Sequence, residues 1–163
     1  WRSGTDTLMA IDASGNVVAR KSPFFLATRT TNITDSTGTG EQIVIWYQSE
    51  SSDQGNNFAV STGIFTAPVT GKYHFTTTVT LAGIASTHNV LDMGLIATGR
   101  TIGWVYSTTP FTMYGTDASV NASADVDMSA NDTAKNYVKV NGTGKTVDVV
   151  SGIYTVFSGY LIK

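Results

Sequence analysis

Residues 63–75 read Gly63-Ile64-Phe65-Thr66-Ala67-Pro68-Val69-Thr70-Gly71-Lys72-Tyr73-His74-Phe75. Phe65 closes one apolar run, and Tyr73 and Phe75 open the next. Between them Pro68 fixes its own φ and Gly71 accepts conformations closed to other residues, so the centre reads as a tight connection between strands. From Lys72 to Ala82, Tyr73, Phe75, Thr77, Val79 and Leu81 share one face, and His74, Thr76, Thr78 and Thr80 share the other. That period of two marks a half-buried strand. Each ring of Phe65, Tyr73 and Phe75 contributes about 1.5–3 kcal/mol on burial.

The same reading extends in both directions. Upstream it gives strands at Phe24 to Thr31, Gln42 to Tyr47 and Phe58 to Phe65, separated by polar loops at Asn32 to Gly40 and Ser49 to Asn57. Downstream, Asn89 to Ala97 and Thr101 to Tyr106 form a hairpin about Thr98-Gly99-Arg100. Ala118 to Met128, Lys135 to Val140 and Val149 to Ile162 follow. No segment carries a helical period. About ten antiparallel strands imply a sandwich or jelly roll. Before Pro23, Thr7 to Lys21 reads as a small hairpin about Asp12-Ala13-Ser14-Gly15-Asn16. The domain reading is therefore an N-terminal β segment over residues 1–22 and a head over residues 23–163.

Composition narrows the function. The 163 residues hold 10 Lys and Arg, 12 Asp and Glu and no Cys, for a net charge of −2. Charged residues are 13% of the chain, about half the usual share. A basic nucleic-acid footprint, a disulfide framework and a membrane-spanning helix are all excluded. Polarity comes instead from Thr, Ser, Gly and Asn. The first residue is Trp, which reads as a fragment or processed chain.

The terminal strands break the alternation expected of a sheet with one wet face. Phe24, Phe25 and Leu26 are apolar on both faces. In the last strand Ile153, Phe157 and Leu161 lie on one face, and Tyr154, Val156, Tyr160 and Ile162 on the other. Two-faced apolarity calls for a second cover. Another copy of the chain supplies it most economically, with Phe24, Leu26, Tyr154, Val156, Tyr160 and Ile162 at the interface. The alternatives are cover by the N-terminal hairpin, or a simple excess of β-formers.

The run quoted first resembles the pattern of the complement C1q globular-head family, which shares the jelly roll of tumour necrosis factor. Gly63, Phe65, Pro68, Gly71, Tyr73 and Phe75 stand at its fixed positions. Asn57-Phe58 sits where the family has an Asn–aromatic pair. Thr155-Val156-Phe157-Ser158-Gly159-Tyr160-Leu161 resembles its closing strand, with Phe157, Gly159 and Leu161 at the matching places. The resemblance spans roughly residues 24 to 163. It implies a ten-strand antiparallel jelly-roll sandwich that assembles as a homotrimer and recognises ligands outside the cell. Gly159 is read as a close approach near the symmetry axis. The chain departs from the family after Asn131-Asp132, where Thr133 to Asn136 precede Tyr137. In place of a collagen-like stalk, Thr5 to Val18 looks like the shaft units of phage and viral fibres.

Candidate chemistry is sparse. His74 and His88 read as surface histidines, and no nucleophile elbow accompanies them, so no enzyme is expected. Asp117, Asp125, Asp127 and Asp132, with Asp148 later, form a carboxylate cluster, of which Asp125, Asp127 and Asp132 are the metal candidates. Some relatives bind calcium, which needs 6–8 oxygen ligands, but the spacing is no EF-hand loop, and solvated acids are the favoured reading. No cofactor is expected, calcium being the one ion these acids would suit. Trp104, Tyr106, Phe111 and Tyr114 form an aromatic cluster suited to stacking on sugars. The competing reading puts them in the core or a subunit interface. Four Asn-x-Ser/Thr sequons, at Asn32, Asn121, Asn131 and Asn141, follow from the Thr-rich composition. The favoured function is the trimeric receptor-binding tip of a bacteriophage tail or head fibre, on the virion surface, with a host polysaccharide as a candidate receptor. The alternatives are a secreted cellular recognition module and a structural trimerisation head. Nucleic acid and membrane insertion are not expected.

Overall fold

The computed structural model describes residues 2–3, 6–7, 9–15, 17–19, 22–107 and 117–162. Four short strands come first: β1 (Arg2–Ser3), β2 (Asp6–Thr7), β3 (Met9–Ile11) and β4 (Val17–Ala19). β3 and β4 pair antiparallel, with Ile11 opposite Val17. In their turn Gly15, at φ 84°, donates its N–H to Asp12 O at 3.0 Å.

From Phe24 onward the described residues form β5 (Phe24–Arg29), β6 (Ile33–Thr37), β7 (Gln42–Val44), β8 (Ser49–Gln54), β9 (Phe58–Ala59), β10 (Ile64–Thr66) and β11 (Gly71–Ala82). Then come β12 (Val90–Ala97), β13 (Arg100–Ser107), β14 (Ala118–Met128), β15 (Thr133–Asn141), β16 (Val147–Val149) and β17 (Gly152–Leu161). They make two antiparallel sheets, one of six strands and one of seven. The first runs β13-β12-β15-β10-β9, with β7 also on β15. The second runs β6-β16-β11-β17-β5-β8, with β14 on the other side of β11. This is an all-β jelly-roll sandwich without a helix among the described residues.

Three expectations at the level of elements need correction. The polar loops expected at 32–40 and 49–57 contain β6 and β8. Both are short of apolar residues, yet β6 pairs with β16 and β8 with β5. Tertiary hydrogen bonding makes them strands, and strand propensity does not report it. The run Phe58 to Phe65 is a tight hairpin, not one strand, because Gly63 at φ 67° turns the chain back and donates its N–H to Ala59 O at 2.9 Å. Finally, the last strand is split: β16 ends at Val149, and β17 begins at Gly152, at φ 84°. The register shifts between Gly152 and Val156, which leaves Ile153 79% exposed although its parity matches buried Phe157.

The core is an aromatic stack crossing both sheets. Phe25 of the seven-stranded sheet lies flat on Phe58 of the six-stranded one, ring centroids 4.4 Å apart and planes 5° apart. Phe65 stacks on Phe25 at 5.2 Å, and Phe157 meets it edge-on at 5.0 Å. Gly159 lies between Phe75 and Phe25 in register. A Cβ there would sit 2.6 Å from Phe75 Cδ1 and 2.7 Å from Phe25 Cε1. The close approach at Gly159 is made by two core rings. A buried amide bridges the sheets. Asn136 Nδ2 donates to Tyr47 Oη and to Thr77 Oγ1, each at 2.8 Å. Burial raises the Tyr47 phenol above its ordinary pKa, so it stays a neutral hydrogen-bonding group.

The chain enters and leaves at one end of the sandwich: Leu161 N–H donates to Pro23 O at 3.1 Å, and Ile162 N–H to Lys72 O at 2.7 Å. At the opposite, far end lie Arg29 opposite Gly152, Leu81 opposite both Ala118 and Val149, and Val90 opposite both Asn141 and Ser107.

Replacing Gly159 by Ala is expected to destabilise the fold by about 1–3 kcal/mol through overpacking. Ser158→Ala, one residue away on the other face, is expected to stay within about 0.5 kcal/mol. Urea unfolding of the two variants, with unchanged slope, checks the contrast.

Candidate functional site

Because the aromatic side of β5, β17 and β11 turns inward, the alternate residues turn outward and line up in rows. Register places Gln54, Phe24, Tyr160, His74 and Asp125 side by side across five strands. The next row is Ser52, Leu26, Ser158, Thr76 and Ser123. The third holds Thr28, Val156, Thr78 and Asn121. Phe24, Leu26 and Val156 are half-buried, and Tyr160 remains 46% exposed. Ile162 and Tyr154 extend this apolar surface, at 40% and 56% exposed. All six residues named for an interface thus lie on β5, on β17 or just beyond it, and none belongs to the core.

The row through His74 carries the face's polar chemistry. His74 Nδ1 lies 2.6 Å from Asp125 Oδ1, and Nε2 lies 3.0 Å from Thr76 Oγ1. The Tyr160 ring sits 5.3 Å from the imidazole, tilted by 41°. One row toward the chain termini, Lys72 Nζ is 3.9 Å from Asp127 Oδ1. Asp125 and Asp127, read as solvated acids and only weakly as metal candidates, are each beside a basic side chain. Asp132 lies in the following turn and accepts Ser129 N–H at 2.8 Å. Asp127 and Asp132 share an open depression of about 510 Å³ with Lys72 and Arg100. Among the described residues no three His, Cys, Asp or Glu side chains converge as metal ligands.

The fold-pattern residues divide by depth. Phe65, Tyr73, Phe75 and Phe157 are core. Gly63 and Gly159 are buried, Leu161 packs at the core's edge, and Pro68 and Gly71 shape the connection between β10 and β11. Of the aromatic cluster, Phe111 and Tyr114 lie outside the described residues. The backbones of Trp104 and Tyr106 belong to β13, opposite Met93 and Leu91, and their side chains also lie outside the described set.

Sequence reasoning missed two groups at the far end. Arg29 is buried on the core side of β5, 1% exposed. Its Nη1 donates to Trp46 O, its Nε donates to Thr31 O at 3.0 Å, and its guanidinium lies 4.4 Å over the Trp46 ring. Desolvation pushes its pKa below the ordinary value. His88, expected at the surface, is only 2% exposed, held by backbone partners from two loops. Neither placement has a local sequence signal, because each depends on segments distant in the chain.

A family model described as the C1q domain matches residues 24–162. A search of curated proteins finds no match. Among solved structures, the globular domain of zebrafish complement 1qA protein superposes with a TM-score of 0.60 at 19% identity, over 86% of this chain and 98% of that one. Murine APRIL at pH 5.0 gives 0.60 at 11% identity, over 87% and 100%. These likenesses show the fold.

The His74–Asp125 pair is exposed enough in one chain that a double-mutant cycle with alanine should read a coupling of only about 0.2–1 kcal/mol in an isolated subunit. Urea titrations of the four proteins under monomeric conditions measure it, and a coupling beyond about 2 kcal/mol would show that the pair is already desolvated.

Proposed function

Because the chain belongs to the C1q domain family, we propose that it is a homotrimeric, non-enzymatic recognition head that packs the outward face of its seven-stranded sheet around a common axis. The observation that carries this reading is the set of aligned rows on that face. Half-buried Phe24, Leu26 and Val156 and exposed Tyr160 and Ile162 form one apolar band, bordered by neutral Ser and Thr hydroxyls. Such a band gains hydrophobic stabilisation on association, and its neutral neighbours avoid the cost of burying unpaired charge.

In this reading the chain-entry end joins a fibre, and the N-terminal hairpin is the end of its shaft. The far-end loops then form the recognition tip. Ser107 and Ala118, which bracket the aromatic segment holding Phe111 and Tyr114, both lie at that far end. The ligand is a neutral surface glycan of a bacterial host, with the module on the virion surface. Three tips per trimer would raise weak single-site binding by avidity. A cellular, secreted C1q-like module would use the same two surfaces, and the sequence upstream of Trp1 separates the two: further shaft repeats for the fibre, a collagen-like repeat for the secreted protein.

Two measurements test the proposal. Light scattering is expected to give the mass of a trimer for the wild type and of a folded monomer for Val156→Asp. A monomeric wild type would overturn the assembly. Phe111→Ala combined with Tyr114→Ala is expected to leave the trimer intact and reduce retention on host polysaccharide by about tenfold or more, as loss of stacking anchors would. Unchanged retention would exclude this loop as the site.

A further inference from the structure

Three loops of the far end meet at one buried ring. His88 lies in the 83–89 connection between β11 and β12. Its Nδ1 accepts the N–H of Ala85 at 2.9 Å. A nitrogen that accepts carries no proton, so the proton of the neutral ring sits on Nε2. Nε2 then donates to Gly144 O at 3.0 Å, in the 142–146 connection between β15 and β16. Gly142 and Gly38 are the flanking positions where a Cβ would collide with this arrangement. At Gly142 it would lie 2.6 Å from His88 Cα, and at Gly38 2.2 Å from Gly144 O and 3.1 Å from His88 Nε2. The imidazole therefore clasps segments 83–89 and 142–146 with both nitrogens committed to backbone, and Gly38 leaves the space beside it. Thr87 Oγ1, donating to Thr143 O at 3.3 Å, reinforces the same seam.

We infer that His88 is the positioning residue of the far-end loops, and that protonating it opens the clasp and so couples the recognition surface to pH. A proton on Nδ1 replaces an acceptor by a donor pointing at the Ala85 N–H, so the closed clasp accommodates only the neutral ring. The opened loops accommodate either form. By linkage the clasp holds while the ring is neutral and weakens as falling pH protonates it. The charged side chains on the segments packed around the ring are Glu41 and Lys145, with Lys139 beside Gly40; the 83–89 connection carries none. Glu41 is held below its ordinary carboxylate value, chiefly by the Thr39 hydroxyl's hydrogen bond and to a smaller extent by Lys145. It therefore stays a carboxylate at about pH 5 and above.

The inference rests on the far-end loops being the recognition surface, but its test needs no ligand. Nitrogen NMR at about pH 7.5 is expected to show the Nε2–H tautomer of His88. Hydrogen exchange of the Ala85 amide, corrected for intrinsic rate and referenced to the core amide of Val79, is expected to accelerate by about tenfold or more between about pH 7.5 and about pH 5. His88→Gln can accept and donate but cannot ionise, so its Ala85 protection should be retained and flat with pH. His88→Leu should lose protection at both. An Nδ1–H tautomer, pH-independent wild-type exchange, or the wild-type pH response persisting in His88→Gln would each overturn the inference. An intact, pH-responsive clasp in a head that retains no host polysaccharide would overturn the recognition reading alone.

Discussion

The structure depends on the fit of Phe25 and Phe75 over Gly159. Three neighbouring strands meet at this point in register, and the missing Cβ is what lets both rings lean inward. Phe25 then reaches Phe58 across the sandwich and ties the two sheets together. Because strand side chains alternate, fixing one inward residue on β5, β17 and β11 fixes every outward residue too. A slip of one position would turn the aromatic stack to solvent and the hydroxyl rows into the core. The outward face is thus a consequence of the core: Phe24, Tyr160 and His74 are neighbours because Phe25, Gly159 and Phe75 are.

Local pattern made the skeleton of this arrangement readable. Alternation over residues 72–82 identified the central strand and its buried side, and Pro68 and Gly71 located the turn before it. The two-faced apolarity of Phe24 to Leu26 and of Tyr154 to Ile162 pointed to a second packing surface on one chain. What stayed hidden depends on partners far along the sequence. β8 looks like a polar loop, and becomes a strand because the edge of β5 offers it hydrogen bonds. Nothing in the strand around Gly159 reveals the rings at its sides. Only cross-strand register shows that Asp125 stands beside His74. His88 and Arg29 were invisible for the same reason: their burial is made by loops that converge only at the end of the sandwich.

The sparse charge of the sequence acquires a structural sense. The outward face of the seven-stranded sheet presents neutral hydroxyls where a charged residue would oppose close packing of copies. On the outward face Lys72 lies beside Asp127 and His74 Nδ1 meets Asp125, toward the end where the chain enters. The far end is organised differently, by backbone hydrogen bonds to His88 and by Arg29 beneath Trp46. One end is suited to assembly and attachment, the other to holding loops in a defined shape.

The central claim is that the outward face of the seven-stranded sheet is buried between copies of this chain. The absence of cysteine from the sequence makes that directly measurable by thiol labelling of two single-cysteine variants. Ser158→Cys places a thiol in the middle of the face, and Ser61→Cys places one in the exposed turn between β9 and β10. The account predicts that S158C labels slowly at high protein concentration and accelerates on dilution as copies separate, by about tenfold or more, while S61C labels at one fast rate throughout. Labelling of S158C that is independent of concentration, in a protein that stays folded, would contradict it.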